Sequence, residues 1–469
     1  MVKQVVTTIC FVLFHCIISY WAFMSSCSIH SSPKISIIPA IARYFGTKGR
    51  YEDVNTYLID DLLVTNNSLV TLPSSKCSEI HLTAIIRHGT RYPTSKNIQK
   101  MREFYDLVVR DATGNLNCLS EIKSQWKMWY TDDMDGRLVD KGRADHRHLA
   151  QRLIKWFPSL LTEDNVRNGR VKLITSSKHR CVNSTIAFRE GLMKGLSIKV
   201  ELEPAVNDAL MRYFDQCERF VKEVENNKSA LEEVKRFNEG PEMKRVMEKM
   251  ADRLEVPYAS ITDDSVEAAF FLCAYEFTIH DLNSPWCQLF DKVDAQVMEY
   301  AGDLKQYWKR SYGHDINSKS SCILFHDLFH RLDQVVAQIN SDGALSEAVT
   351  VQVGHAETLL PLLTLLDLFK DDIPLSSTNF ATQKNRIFRS GNIVPYAANL
   401  LVVLYKCPEG IRMGARLNEK SLTLPGLADP VPMYEDVKKR YRALLEGCDQ
   451  ETEGLEMSWK LIGQKVWEP

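Results

Sequence analysis

Three short apolar runs along the chain predict buried strands. Each run is followed directly by a cluster of polar residues. The runs are residues 79–86, 171–175 and 348–353, and the clusters that follow them are residues 87–94, 176–180 and 354–357. Open α/β sheets bind their ligands just beyond the carboxyl ends of the strands. The pattern therefore predicts that the three polar clusters converge on one pocket.

Helical patterns lie between these runs. In residues 143–161, apolar side chains recur at three- and four-residue spacing, which is typical of an amphipathic helix. Residues 201 to about 330 are mostly charged and helix-favouring, and they predict a helical insertion beside the sheet. The fold class predicted is α/β, with a sheet flanked by helices. One basic run is interpreted as a solvated helix face, or alternatively as the rim of a polyanion pocket: Lys141, Arg143, His146, Arg147 and Arg152.

The overall charge argues against a nucleic-acid partner. The 469 residues are 45% hydrophobic and 25% charged, with a formal net charge of -2. Nucleic-acid binding usually leaves an overall basic balance, which is missing here. A polyanionic substrate must therefore be bound by a local cluster of cations.

The amino terminus predicts entry into the secretory pathway. Lys3 precedes an apolar run over residues 5–24, followed by small residues, which is how a signal peptide is built. We expect a signal peptide at 1–27 and a catalytic domain at 28–469. The run is also long enough to stay in a membrane as an uncleaved signal anchor, the one case in which we expect a membrane partner.

Cysteines and sequons agree with that compartment. The chain has 12 cysteines, a content that predicts some disulfides in an oxidising environment but leaves their pairing open. Candidate N-glycosylation sites are Asn66, Asn183 and Asn227.

The first polar cluster has the chemistry of a phosphate site. Attack on a phosphate monoester by a neutral imidazole requires that the phosphate charges be neutralised and the phosphorus held in line. His88 supplies the candidate nucleophile, and Arg87 and Arg91 supply guanidinium groups that bind phosphate oxygens in pairs. No metal or other cofactor is expected, because the arginines provide the positive charge. Gly89 and Pro93 would fix the turn that aims these side chains.

The other two clusters complete the candidate site. The second contributes Arg180, with Lys178 close to it in sequence. In the third, His355 could donate a hydrogen bond to a phosphate oxygen, and a protonated Glu357 could donate its proton to the leaving alkoxide. Glu357 could also stabilise the start of the helix that it opens, and the two roles are compatible.

Several segments resemble one enzyme family. Residues 87–93 resemble the arginine-histidine-glycine motif of the histidine acid phosphatases, and residues 354–357 resemble the branch whose proton donor is a glutamate, the multiple inositol-polyphosphate phosphatases. Residues 177–181, 284–287, 303–310 and 389–396 resemble that branch as well. The resemblance extends from about residue 75 to 448, much further than one motif.

The resemblance implies a phosphoglycerate-mutase-like fold and a phosphohistidine mechanism. It implies a small polyanionic substrate, inositol hexakisphosphate or a lower inositol polyphosphate, with 2,3-bisphosphoglycerate as a further candidate. It also implies a disulfide between Cys77 and Cys407. Vertebrate members end in an endoplasmic-reticulum retention tetrapeptide, whereas this chain ends in residues 466–469, Val-Trp-Glu-Pro, so the lumen and the cell exterior both stay open. The residues implied for phosphate binding and catalysis are Arg87, His88, Arg91, Arg180, His355 and Glu357, with Lys178 and Thr94 as further candidate phosphate ligands.

Two alternative functions stay open. One is a broad-specificity acid phosphatase, and the other is a non-catalytic, phosphate-binding cell-surface protein on the same fold. A cysteine phosphatase is disfavoured, because six residues after Cys181 stands Ala187 where an arginine is required. The sequence also lacks the Gly-Lys-Ser/Thr loop of nucleotide hydrolases.

Overall fold

A seven-stranded mixed sheet forms the centre of the computed structural model, which describes residues 38–341 and 343–448. In spatial order the strands are β3-β2-β4-β1-β5-β6-β7. The pairs among β1, β2, β3 and β4 are parallel. Strand β5 pairs antiparallel with β1 and with β6, and β6 pairs antiparallel with β7. The strands are β1 (Ser78–Arg87), β2 (Val171–Thr175), β3 (Ala205–Val206), β4 (Val349–Gly354), β5 (Asn399–Cys407), β6 (Gly410–Leu417) and β7 (Lys420–Leu422).

The parallel register brings the three predicted polar clusters to one edge. Strand β4 lies between β1 and β2, with Gly354 opposite Arg87 and Val353 opposite Thr175. The residues that follow these strands therefore start side by side. The predicted α/β fold and the convergence of the clusters are confirmed.

Helices cover both faces of the sheet. The longer ones are α1 (Ser95–Asp111), α2 (Asn117–Ser124), α3 (Asp140–Trp156), α4 (His179–Leu196), α5 (Glu232–Asn238), α6 (Pro241–Leu254), α7 (Asp263–His280), α8 (Lys292–Arg310), α9 (Cys322–Asn340), α10 (Ala356–Leu365) and α11 (Tyr434–Arg440). Short helices lie at Tyr51–Val54, Glu163–Arg167, Asp208–Met211, Tyr213–Gln216, Glu218–Phe220, Asp315–Lys319, Ser390–Ile393 and Arg442–Gly447.

Each face of the sheet has its own apolar core. Successive side chains of a strand point to opposite faces. On β1, Leu82, Ala84 and Ile86 pack with apolar residues of α3 and α4, whereas Ile85 packs in the larger core on the other face, together with α6 to α10. The apolar spacing predicted over residues 143–161 thus belongs to the helix that covers the first face.

The segment between β3 and β4 is helical, from Asp208 to Asn340. It begins after the two-residue strand β3, which pairs with β2 inside the range 201–330 that the sequence marks as helical. The separation of this segment as an insertion, and the division of the chain at residue 27, stay predictions. Residues 1–37 and 449–469, and with them the signal segment and the carboxyl-terminal tetrapeptide, lie outside the described residues.

The solvated-face interpretation of the basic run is wrong for three of its residues. Lys141, His146 and Arg152 lie on the inner side of α3, and His146 and Arg152 are 0% and 2% exposed. Lys141 contacts Glu52 and Asp145, at 2.8 and 3.0 Å. Charge alone predicted exposure, but Glu52 and Glu419, which are distant in the sequence, compensate Lys141 and Arg152. His146 is buried as a neutral ring, with its Nε2 3.1 Å from the Arg87 carbonyl oxygen.

The structure contains the disulfide Cys77–Cys407 that the family resemblance implies. Two further disulfides join Cys273 to Cys287 and Cys322 to Cys448. Such bonds are typical of proteins that fold in an oxidising compartment. In the described part of the chain, no helix is both long and apolar enough to cross a membrane.

Candidate active site

His88 lies at the end of β1 with its ring buried in the site. Its backbone N–H donates to the Gly354 carbonyl at 2.9 Å, which ties it to the end of β4. Its Nδ1 lies 2.9 Å from the Gly89 carbonyl oxygen. A carbonyl can only accept, so Nδ1 carries the proton and Nε2 keeps its lone pair. The ring is therefore held in the tautomer that a nucleophilic Nε2 requires.

The electrostatic surroundings keep this imidazole neutral. Burial and the nearby guanidinium groups of Arg180 and Arg87 hold the pKa of His88 well below its usual range. A cation is disfavoured both by the loss of water and by like charges close by. The lone pair needed for attack is thus present at neutral and at mildly acidic pH.

The loop that carries His88 packs tightly against α3 and α4. A Cβ atom at Gly89 would lie 2.3 Å from the Gly142 carbonyl oxygen, so glycine is required for this approach. The Gly89 N–H donates to Ser184 Oγ at 3.0 Å, and the Thr90 hydroxyl donates to Asp145 Oδ2 at 2.9 Å. These contacts fix the turn that aims His88.

Arg87 and Arg91 are anchored by one side of their guanidinium groups. Arg87 Nη1 donates to the carbonyls of Thr47 and Val394, at 2.8 and 2.5 Å. Arg91 Nη1 donates to its neighbouring carbonyl of Tyr92 at 2.7 Å. These backbone contacts use only the Nη1 atom of each guanidinium group.

Three arginines keep buried donors without partners. The Nε atoms of Arg87, Arg91 and Arg180 have no hydrogen-bond partner among the described residues, although they are buried. A buried N–H group without a partner costs free energy. The charges of these three guanidinium groups around His88, rather than their enclosed Nε atoms, indicate a site that binds an anion with several acceptor oxygens.

His355 stands opposite His88. The two ring centroids are 5.6 Å apart and the rings meet edge to face. Arg180 Nη2 lies 3.3 Å from His355 Nδ1, so the second and third clusters meet here. Burial, together with the charge of Arg180, lowers the pKa of His355 to about 3, which leaves this ring neutral as well.

Glu357 lies in the first turn of α10 and is partly exposed. Burial by itself would raise its pKa, but the positive charge of Arg310 and the proximity of His355 lower the pKa to about 2. Thr358 Oγ1 accepts from the His355 N–H at 2.8 Å, and the Glu357 carboxylate accepts from its own backbone N–H in the first turn of α10. The role at the helix start and the acid role both stay predictions.

The two remaining candidate phosphate ligands lie at the border of the site. Thr94 is close to Arg180, since a Cβ at Gly136 would lie 3.8 Å from Thr94 Cγ2 and 3.6 Å from Arg180 Nη1. Lys178 is exposed and immediately precedes α4. The candidate glycosylation residue Asn183 lies on the same helix, and Asn66 and Asn227 lie outside the longer helices. The assigned roles of these residues stay predictions.

Arg310 is the main site residue that the sequence did not single out. It ends α8, far from the three clusters in the chain, and is 8% exposed. Its Nη2 contacts Glu225 at 3.0 Å, whereas its buried Nη1 has no hydrogen-bond partner in the described part of the chain. No local pattern marks an arginine at a helix end as a site residue, and only the packing of α8 brings it near Glu357.

Comparison with known proteins agrees with this geometry. The model of the histidine phosphatase superfamily (branch 2) matches residues 80–422. The human protein named multiple inositol polyphosphate phosphatase 1 is 45% identical over 453 residues, which cover 92% of each chain. The chicken protein of that name is 45% identical over 412 residues, which cover 86% of this chain and 91% of the chicken protein.

Solved structures of more distant proteins share the fold. The phytase from D. castellii has a TM-score of 0.70 at 16% identity, covering 88% of each chain. The multiple inositol polyphosphate phosphatase of Bifidobacterium longum, in complex with inositol hexasulfate, has a TM-score of 0.65 at 15% identity, covering 82% of this chain and 93% of that one. The chain therefore belongs to branch 2 of the histidine phosphatase superfamily and, within it, to the multiple inositol polyphosphate phosphatases.

Proposed function

We propose that this protein is a phosphomonoesterase that hydrolyses inositol hexakisphosphate and lower inositol polyphosphates, and in addition 2,3-bisphosphoglycerate, through a phosphohistidine on His88. The observation that carries the proposal is the neutral His88 ring, fixed in one tautomer among the guanidinium groups of Arg87, Arg91 and Arg180. The substrate class is supported by the names of the relatives, which act on inositol polyphosphates.

In the first step, His88 Nε2 attacks phosphorus and the phosphorus–oxygen ester bond breaks. Arg87, Arg91 and Arg180 hold the phosphoryl oxygens and neutralise their charge as the transition state forms. The leaving alkoxide takes a proton from Glu357. In the second step, water attacks the phosphorus, the bond between phosphorus and His88 Nε2 breaks, the Glu357 carboxylate accepts a proton from that water, and inorganic phosphate leaves.

Substrate binding favours protonation of Glu357, with the proton taken up from solvent. In the empty site, cations lower the pKa of Glu357 to about 2, so the carboxyl group is ionised at most pH values. A bound polyphosphate brings several negative charges next to those cations and next to the carboxylate. Nearby negative charge raises a carboxyl pKa. Glu357 is thus a better acid in the complex than in the free enzyme, and acidic pH favours the first step.

The test is phosphate release from inositol hexakisphosphate, 2,3-bisphosphoglycerate and p-nitrophenyl phosphate, with a chelator present. We expect the wild type to favour the polyphosphate, and His88→Ala to lower turnover by about 10³-fold or more. The matched control is His330→Ala, because His330 is exposed on α9. With p-nitrophenyl phosphate, whose leaving group needs no acid, Glu357→Gln should accumulate an acid-labile phosphohistidine, because the water that hydrolyses it then lacks a base.

Other outcomes would identify the alternative functions. Equal catalytic efficiency on all three substrates would identify a broad-specificity acid phosphatase. Tight phosphate binding without turnover would identify a non-catalytic binding protein. Wild-type turnover by His88→Ala would refute the mechanism.

The proposed location is the secretory pathway, in the lumen of the endoplasmic reticulum or outside the cell. The three disulfides support an oxidising compartment. We propose that residues 1–27 are removed as a signal peptide, so that the catalytic chain begins at residue 28. Amino-terminal sequencing of the secreted or lumenal protein tests the cleavage, and loss of its N-glycans in Asn66→Gln and Asn227→Gln variants tests those sites.

A further inference from the structure

The segment before the first strand carries a lysine to the edge of the phosphate pocket. Arg87 Nη1 donates to the Thr47 carbonyl at 2.8 Å, so the next residue, Lys48, starts beside that arginine. The Thr278 hydroxyl of α7 donates to the Lys48 carbonyl at 2.9 Å, which fixes the backbone at this point. Lys48 lies outside residues 80–422, the range that the superfamily model matches, and belongs to none of the three polar clusters.

The ammonium group of Lys48 and the guanidinium group of Arg91 lie against adjacent turns of α7. Lys48 Nζ is 4.4 Å from the ring centroid of Phe271, and Arg91 Nη1 is 3.4 Å from Tyr275 Oη. Phe271 and Tyr275 are four residues apart on one face of the helix, with ring centroids 6.0 Å apart. The helix therefore holds the two cations next to each other.

Lys48 has no anionic partner of its own. In the described part of the chain, no carboxylate lies within ion-pair distance of its Nζ, although the side chain is half-buried. Glu267 is the acidic group that affects Lys48, and Lys100 contacts it at 2.8 Å. Burial lowers the pKa of Lys48, because the cation loses solvation there. An anion bound beside this ammonium group would compensate that loss.

A cavity of about 280 Å³ lies beside Lys48, and Lys305 lines it as well. Lys305 is exposed, and its Nζ contacts no carboxylate among residues 38–341 and 343–448. The acidic side chains of the cavity have partners of their own: Asp264 and Glu267 contact Lys100, Glu299 contacts Arg386 and Arg389, and Asp263 accepts from Asn238. Lys48 and Lys305 are thus the lysines of this cavity that can bind an anion from outside.

We propose that Lys48 binds a second phosphate group of an inositol polyphosphate while the reacting phosphate lies at His88 and Arg91, and that this contact selects polyphosphates over monophosphates. The inference rests on the proposed phosphatase function and names a residue that determines its substrate class. A polyphosphate has phosphates on neighbouring ring carbons, so one molecule can contact both cations. Lysine suits this contact, because its ammonium group is a point charge on a flexible stem, whereas the reacting phosphate needs the fixed geometry of guanidinium groups.

The test compares Lys48→Met with Lys48→Arg, which keeps the charge, and with Arg43→Met as the matched control. Arg43 is exposed in the same segment, and its replacement changes the net charge equally. We expect Lys48→Met to lower kcat/KM on inositol hexakisphosphate about 10- to 100-fold, mainly through KM, the range for loss of a hydrogen bond between charged groups. On p-nitrophenyl phosphate, which has a single phosphate, Lys48→Met should match the wild type. Lys48→Arg should keep most of the activity, and Arg43→Met should match the wild type on both substrates.

The comparison of the two substrates separates a second phosphate contact from an effect on the reacting phosphate. A loss of equal size on both substrates would mean that Lys48 acts through Arg91 or the fold, and it would overturn the inference. Wild-type kcat/KM of Lys48→Met on inositol hexakisphosphate would overturn it as well. Activity on p-nitrophenyl phosphate also reports that the variant is folded.

Failure of the proposed function gives a different result. In that case the wild type releases no phosphate from either substrate. The inference is then decided by calorimetric titration of inositol hexakisphosphate into the wild type, Lys48→Met and Arg43→Met. Lys48→Met should bind it about 10- to 100-fold more weakly than the other two proteins, and all three should bind inorganic phosphate equally. Equal affinity of Lys48→Met and the wild type for inositol hexakisphosphate would overturn it.

Discussion

The buried ion pair between Arg152 and Glu419 gives the sharpest stability prediction. Arg152 lies on α3, and Glu419 lies in the turn between β6 and β7. Arg152 Nη2 donates to Glu419 Oε1 at 2.7 Å and Nε donates to Oε2 at 2.9 Å, and the two side chains are 3% and 0% exposed. Tyr51 also donates to Glu419 at 2.7 Å. Every strong partner of this carboxylate is therefore inside the protein.

The burial sets the size of the effect. An exposed ion pair contributes about 0 to 1 kcal/mol because water solvates both groups. Removing one partner of a buried pair leaves a charge without compensation and costs about 3 to 5 kcal/mol. We expect Arg152→Met and Glu419→Gln each to lower the free energy of unfolding by about that amount. The double variant should lose clearly less than the sum, with a coupling free energy of about 2 kcal/mol or more.

The assay is urea unfolding at neutral pH, followed by tryptophan fluorescence, for the two single variants and the double variant. Arg167→Met is the matched control, because its contact with Glu163 is between side chains that are 55% and 53% exposed. We expect this control to change the free energy by less than about 1 kcal/mol. A cost below about 1 kcal/mol for Arg152→Met, or no coupling in the double variant, would refute the reasoning.

Three further predictions concern the strands and the loop that carry the site. His81 is buried in β1, and burial lowers its pKa to about 4, so between pH 6.5 and 4 the unfolded chain binds a proton that the folded chain does not. The free energy of unfolding should therefore fall as the pH falls, by about 3 kcal/mol at the acid end. In His81→Gln, the free energy of unfolding should depend less steeply on pH in this range. Gly89→Ala should abolish phosphate release and lower the melting temperature, because the new methyl group would meet the Gly142 carbonyl; wild-type activity would contradict this packing. Replacing both Cys77 and Cys407 by serine should lower the free energy of unfolding by about 2 to 5 kcal/mol, measured by urea titration, since the bond closes a sequence separation of 330 residues.

Local patterns were sufficient to predict three of the seven strands and to name the residues of the candidate site. The apolar runs before residues 87, 176 and 354 predicted β1, β2 and β4, and parallel pairing then places the following residues at one edge. His88 and its arginines could be named because phosphate chemistry requires a nucleophile and several cations close together. The disulfide between Cys77 and Cys407 came from the family resemblance, since spacing does not determine pairing.

Charge patterns failed where the partner is distant in the chain. Lys141, His146 and Arg152 resemble a solvated face, yet the acidic side chains that compensate Lys141 and Arg152 come partly from residues 52 and 419. Arg310 shows the same limit, because nothing near it in the sequence points to Glu357.

The sequence by itself determined the residue types and the ends of the strands, because hydrophobic periodicity and phosphate chemistry are local properties. Tertiary structure alone decided the protonation states of the site. Burial and the charge of Arg180 hold the pKa of His88 well below its usual range, and Arg310 lowers the pKa of Glu357 against the effect of burial. These effects depend on distances of a few ångströms between groups far apart in the chain, and only the folded arrangement sets such distances.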